Sequence, residues 1–92
     1  GGYRIGAGEV EAALLAHPGV REAAVVGEPD PDLGQRIVAF VVADEGTDPA
    51  VLRQFVADGL SVHKRPRRVE FVESLPRNAL GKVQKSLLIP GA

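Results

Sequence analysis

The sequence predicts an α+β domain: a two-layer α/β sandwich with a three-stranded main sheet and two or three helices. Three observations carry this. The run Ile37-Val38-Ala39-Phe40-Val41-Val42-Ala43 is apolar on both faces, as a central strand is. Two other segments, around Val10 and around Leu52, place their apolar residues at helical spacing. Together with the remaining β-rich segments they give the order β-α-β-β-α-β, which packs helices onto one sheet.

Tyr3-Arg4-Ile5 reads as a short strand, broken by Gly6 and Gly8. Residues 9–16 read as a helix with Ala7, Val10, Ala13 and Leu14 on one face. Glu9 and Glu11 sit in its first turn, where carboxylates suit the positive end of the dipole. His17-Pro18-Gly19 stops it, so His17 is expected in a helix stop and not as a catalytic base. Residues 20–27 are β-rich, and residues 28–34 read as a turn-rich loop containing Pro29 and Pro31. The strongest strand, residues 36–43, follows and turns at Asp44-Glu45-Gly46-Thr47. Asp48 is an N-cap with Pro49 at the first helical position. Val51, Leu52, Phe55, Val56 and Leu60 make a helical stripe, and Gly59 marks its end. Residues 68–72 alternate as a third strand with Val69 and Phe71 on one face. Residues 83–88 read as a short closing helix with Gln84 and Lys85 in solvent.

Ninety-two residues make one small domain with one modest core, rich in Val, Leu, Ile and Ala, since only four residues are aromatic. The absence of cysteine excludes disulfides, a thiol nucleophile and thiolate metal sites. Two histidines far apart leave no expected metal site. No apolar run approaches the roughly 20 residues that span a bilayer, and no signal-peptide pattern is present, so a cytoplasmic location is the default. The chain has no Met and starts Gly-Gly, which reads as a fragment of a longer protein. Charge is uneven. Residues 1–60 hold four Arg/Lys against ten Asp/Glu, and residues 61–92 hold seven against two. A basic C-terminal third points to an anionic partner or to a solvated charged face.

Within that third, Pro76-Arg77-Asn78-Ala79-Leu80-Gly81-Lys82 gathers turn formers ahead of a single lysine. Pro76 fixes φ, Asn78 tolerates unusual backbone angles and Gly81 lacks a Cβ, so an exposed loop carrying a flexible ammonium is expected. His63-Lys64-Arg65-Pro66-Arg67-Arg68 is a second cationic cluster, suited to bidentate phosphate contacts. The chain opens on Gly1-Gly2-Tyr3-Arg4-Ile5, followed by Glu9-Val10-Glu11.

These motifs, in this order, resemble the C-terminal region of adenylate-forming enzymes: acyl-CoA synthetases, peptide-synthetase adenylation domains and luciferases. His17-Pro18-Gly19-Val20, Glu22-Ala23-Ala24-Val25-Val26-Gly27, Pro29-Asp30 and Gly34-Gln35 fit the same order. The resemblance covers almost the whole chain. Tyr3-Arg4-Ile5-Gly6-Ala7-Gly8-Glu9 and Ser61-Val62-His63-Lys64-Arg65-Pro66-Arg67 look most like bacterial malonyl- and methylmalonyl-CoA synthetases.

The resemblance implies a single mobile C-terminal (lid) domain over residues 1–92, preceded in the whole enzyme by a large N-terminal domain. The enzyme would be an AMP-forming acid–thiol ligase using ATP, Mg²⁺ and coenzyme A, with malonate or methylmalonate as the acid. ATP and Mg²⁺ would be held mainly by the N-terminal domain, so the isolated domain is expected to be inactive. Lys82 would stabilise charge in the adenylation step, with Gly81 and Asn78 supporting its loop. Gly1 and Gly2 would border the pantetheine tunnel in the thioester-forming pose. His63 would lie against the CoA adenine, with Arg65 and Arg67 on its phosphates. Lys82 is also the expected target of a protein lysine acetyltransferase and a sirtuin-type deacetylase. Two rivals remain: the C-terminal subdomain of another adenylate-forming enzyme, and a basic nucleic-acid-binding module. The second is disfavoured by near-zero net charge and by the lack of stacking aromatics near the arginines. Membrane partners are not expected.

Overall fold

The computed structural model describes residues 7–32, 34–60 and 64–88. Over them the chain forms helix α1 (Ala7–Leu15), strands β1 (Val20–Asp30) and β2 (Gly34–Ala43), helix α2 (Pro49–Gly59), strand β3 (Arg68–Phe71) and one 3₁₀ turn (Lys85–Leu87). β2 is central, as its two apolar faces predict. β1 pairs with it antiparallel from Val20↔Ala43 to Asp30↔Gly34, and β3 pairs parallel from Val38↔Arg68 to Val41↔Phe71. The predicted three-stranded α+β architecture with two helices is the one that forms. The strand expected at Tyr3-Arg4-Ile5, and the candidate site residues Gly1, Gly2 and His63, lie outside the described residues.

Strand alternation divides the interior in two. Ile37, Ala39 and Val41 face a core completed by Val10 and Leu14 of α1 and by Leu52, Val56 and Leu60 around α2. Val38 and Phe40 face the other way, against Ala24 and Leu75. A bulge at Val20/Glu22 inserts Arg21 and resets the alternation of β1. Val20 therefore joins Ala23 and Val25 in the first core, while Glu22, opposite Val42, lies on the second face.

The helix ends follow local chemistry. Asp48 Oδ1 accepts from the Ala50 N–H at 2.8 Å with Pro49 in the first turn, the predicted cap. At the end of α1, His17 Nδ1 accepts from the Gly19 N–H at 3.0 Å, and its ring meets Phe55 edge-on at 4.9 Å. A Cβ at Gly19 would stand 2.6 Å from Thr47 Oγ1, so a side chain there would force Thr47 to shift.

Several expectations are corrected. Helix α1 begins at Ala7, two residues before the expected start at Glu9, so Gly8 lies in its first turn, where backbone N–H groups have no intrahelical partner to lose. The loop expected over residues 28–34 gives way to strand at both ends: β1 runs on through Pro29 to Asp30, and β2 begins at Gly34. β1 is an edge strand, where the missing N–H of a proline breaks no ladder bond. The α2 stripe is narrower than predicted: Leu52, Val56 and Leu60 are buried, whereas Val51 and Phe55 are exposed. Val69 packs under the first core, but Phe71, at the end of β3, is exposed. The closing helix over residues 83–88 does not form. Val83 instead bridges Arg77, and with Val72 and Leu88 it packs onto the second core, leaving only the 3₁₀ turn. The C-terminal segment thus covers the sheet face that the helices do not.

Candidate functional site

The lysine loop is a tight hairpin. Arg77 and Val83 pair antiparallel, the Asn78 N–H donates to the Lys82 carbonyl at 2.9 Å, and the Gly81 N–H donates to the Asn78 carbonyl at 2.9 Å. Gly81 has φ of 84°, the left-handed position that closes a three-residue hairpin turn. The Asn78 side chain replaces a missing strand: its Oδ1 accepts from the N–H groups of Leu80 at 2.9 Å and Lys82 at 3.0 Å. Arg77 Nη1 donates to the Gly81 carbonyl at 2.7 Å, and its Nη2 pairs with Glu22 on β1. Ala79, Leu80, Gly81 and Lys82 are exposed, Leu80 almost completely.

The exit of the hairpin is also anchored. Lys85 Nζ lies 2.9 Å from Glu11 Oε2, and the same oxygen accepts from the Val25 N–H at 2.8 Å. Glu11 therefore caps an N–H on the open edge of β1. Lys85 was expected in solvent; this ion pair holds it half-buried, while Gln84 is exposed as predicted.

The basic segment lies elsewhere. The Arg67 N–H donates to the Ile37 carbonyl at 2.8 Å, at the start of β3. The hairpin is tied to Glu22, which stands opposite Val42. Along β2 the two anchor points are five residues apart, roughly 16 Å at the usual rise per strand residue. The structure thus gathers Arg77, Asn78, Gly81 and Lys82 in one hairpin and sets Arg65 and Arg67 at the other end of the sheet. Arg65 Nε donates to the Leu60 carbonyl at 3.3 Å and, with Pro66, borders an open groove of about 220 Å³ against Ala50, Arg53, Gln54 and Ala57 of α2.

The pairing pattern separates the cations. Arg21, Arg36, Lys64, Arg68, Arg77 and Lys85 each contact a carboxylate. Among the described residues Arg53, Arg65, Arg67 and Lys82 make no ion pair. Sequence reasoning missed Arg53. Its helical position, one turn before Ala57 and facing the segment that follows α2, was the available signal. Glu28 contacts both Arg36 and Arg68, and the Arg36 hydrogen bond holds its carboxyl below the ordinary glutamate range. Among the described residues no group of three or more His, Asp or Glu is placed to hold a metal ion, and no helix is long and apolar enough to cross a membrane.

The result, among the described residues, is a small α+β domain with one lysine free of ion pairs on a tight hairpin, and Arg53, Arg65 and Arg67 free of ion pairs away from it. The family model described as the AMP-binding enzyme C-terminal domain matches residues 9–82, and the chain belongs to that family. It is 41% identical over 92 residues to acetyl-coenzyme A synthetase of Bacillus subtilis (strain 168), covering 95% of this chain and 16% of that protein. It is 48% identical over 90 residues to 2,3-dihydroxybenzoate-AMP ligase of the same organism, covering 96% of this chain and 17% of that protein. Its fold superposes on the crystal structure of apo MatB from Rhodopseudomonas palustris with a TM-score of 0.88 and 42% identity, over 96% of this chain and 18% of that one. The chain spans about a sixth of the length of the curated relatives it matches.

Proposed function

We propose that this chain is the lid-forming C-terminal part of an AMP-forming acyl-CoA synthetase that converts ATP, a carboxylate and CoA into acyl-CoA, AMP and pyrophosphate. Lys82 is its adenylation lysine. As the carboxylate attacks the α-phosphate and pyrophosphate leaves, negative charge collects on several oxygens, and one aimed ammonium stabilises it. The observation that carries this reading is the pairing pattern: Lys64 and Lys85 are engaged by Glu9 and Glu11, whereas exposed Lys82 keeps its charge for another partner. ATP and Mg²⁺ belong mainly to the large N-terminal domain in this reading, and the domain alone is inactive.

The other cations serve coenzyme A. Arg65 and Arg67 take its phosphates, with His63, Gly1 and Gly2 completing the contact. Arg53 and Gln54, across the groove from Arg65, enlarge that set. The 16 Å between the two ends suits a domain that presents Lys82 in one pose and the CoA contacts in another. Malonate or methylmalonate is the proposed acid, on the likeness of residues 3–9 and 61–67. Relatives of similar identity carry names with different acids, acetate and 2,3-dihydroxybenzoate, so the acyl pocket is assigned to the N-terminal domain. The protein works in the cytoplasm.

ATP–pyrophosphate exchange in the full-length enzyme tests the assignment. Lys82→Ala should abolish most of it, while CoA thioester formation from supplied acyl-adenylate survives. Normal exchange in that variant would remove Lys82 from the reaction. The same exposure makes Lys82 the preferred acetylation site over the paired Lys64 and Lys85, and loss of its charge should switch adenylation off until a sirtuin-type enzyme restores it. Peptide mapping that places the main acetyl group on Lys64 or Lys85 would reject this part.

A further inference from the structure

The peptide group between Gly81 and Lys82 is held at both of its polar atoms. Its carbonyl accepts from Arg77 Nη1 at 2.7 Å, and its N–H donates to Asn78 Oδ1 at 3.0 Å. The Lys82 carbonyl accepts from the Asn78 N–H at 2.9 Å as well, so the peptide planes on both sides of the Lys82 Cα are held, and with them the direction in which its side chain leaves the backbone. Asn78 and Arg77 both belong to the hairpin, so by themselves they would set only its internal shape. Glu22 adds the external reference. Its carboxylate takes the second arm of the Arg77 guanidinium, and it stands on β1 immediately after the bulge. The bulge puts Glu22 on the sheet face that the C-terminal segment covers; without Arg21 as the extra residue, the alternation of β1 would not bring it there.

We propose that Glu22 and Arg77 form a positioning clamp that locks the Lys82 hairpin to β1, so that the lysine is aimed by the whole domain and not by a free loop. Arg77 is a fork with one prong on the hairpin and one on the sheet, a task a lysine cannot share because its charge is a single point. The inference rests on the adenylation role of Lys82. Exposed ion pairs contribute little to stability, and both side chains here are more than a third exposed. A displaced catalytic group, in contrast, is costly: an error of about 1 Å in position can reduce rate on the order of 10²-fold. Loss of the clamp should therefore appear in catalysis before it appears in folding.

The test uses the full-length enzyme with Glu22→Gln and Arg77→Lys, and with Arg21→Gln as a control that breaks an exposed ion pair not touching the hairpin. Glu22→Gln should lower the turnover of ATP–pyrophosphate exchange about tenfold, between no effect and the full cost of misplacement. KM for ATP and for the acid should hold, and so should thioester formation from supplied acyl-adenylate. Trypsin cleavage after Lys82 should accelerate several-fold, and the control should change neither readout. In a Lys82→Ala background, Glu22→Gln should have no further effect, because it acts through the lysine. Exchange and cleavage both within twofold of wild type would overturn the clamp. So would parallel loss of both half-reactions with a lowered melting temperature, which would make the pair a fold stabiliser. If Lys82→Ala itself leaves exchange intact, the assignment of the lysine fails, and the cleavage rate still decides whether Glu22 holds the hairpin.

Discussion

The two ends of the sheet present cations in opposite ways. At the hairpin a single lysine is offered, and the residues around it go into fixing its backbone: Asn78 accepts two N–H groups, Gly81 takes a positive φ, and Arg77 is held by Glu22. Near the start of β3, Arg53 and Arg65 line an open groove with Arg67 two residues further along the chain, and Arg65 Nε donates to the Leu60 carbonyl. In the proposed function the difference suits two kinds of anion. Charge that develops briefly on a reacting phosphorus rewards one donor held in place beforehand. Phosphates that are merely bound reward several adaptable forks.

Substitutions at each end would break that comparison. Lys82→Ala should have the largest effect, a loss in adenylation of about 10²–10³-fold, the usual cost of removing one aimed donor. Arg65→Ala, Arg67→Ala or Arg53→Ala should each raise KM for CoA about tenfold, the value of one charge-assisted contact, with pyrophosphate exchange unchanged. Steady-state kinetics on CoA beside exchange kinetics separates the two ends. Arginine variants that depress exchange as strongly as Lys82→Ala would merge them into one site.

Much of this contrast was legible in the chain. The hairpin could be read because its chemistry is local: Asn78, Gly81 and Lys82 interact within five residues, and the turn residues announce the geometry. The central strand was legible because burial on both faces leaves an unbroken apolar run. What escaped depends on partners far away in sequence. Glu11 looked like a first-turn carboxylate suited to the helix dipole, yet it caps Val25 and holds Lys85. Glu22 and Arg77 lie 55 positions apart, and no periodicity links them. The closing helix was misjudged because Val83 and Leu88 are needed on the second sheet face, a demand that appears only once the sheet exists. Pro29 read as a loop former, and only the edge position of β1 makes it a strand residue.

A third prediction sharpens the hairpin side. A Cβ at Gly81 meets no atom within 4 Å, so the cost of a side chain there is backbone conformation alone. Gly81→Ala should cost the hairpin about 1 kcal/mol through its positive φ. Gly81→Asn should cost less, because asparagine tolerates that region, and Gly81→Val more. Exchange rates should fall in the order Asn, Ala, Val. Equal rates for all three would mean that the turn geometry does not reach the lysine.

The smallest expected effect belongs to the other end, where Glu28 holds Arg36 and Arg68 beside the basic segment. The Arg36 hydrogen bond lowers the Glu28 carboxyl; desolvation is the next largest influence and opposes it, while the charges of Arg36 and Arg68 reinforce it, and the net shift is downward. A carboxyl lowered on folding favours the folded state when ionised. That contribution is complete above the ordinary glutamate value and disappears as pH falls through the lowered one. Glu28→Gln should therefore melt slightly below wild type, by a constant margin, from neutral pH down to about 5, and the margin should close below about pH 4. Arg68 keeps its second carboxylate partner, Glu70, when Glu28 is protonated, so the change stays with the Glu28–Arg36 pair and reaches neither the hairpin nor Arg65 and Arg67. A melting difference that persists undiminished to pH 3 would show that Glu28 matters for packing and not for charge, and the balance of paired and unpaired cations would then have to be sought elsewhere on the sheet.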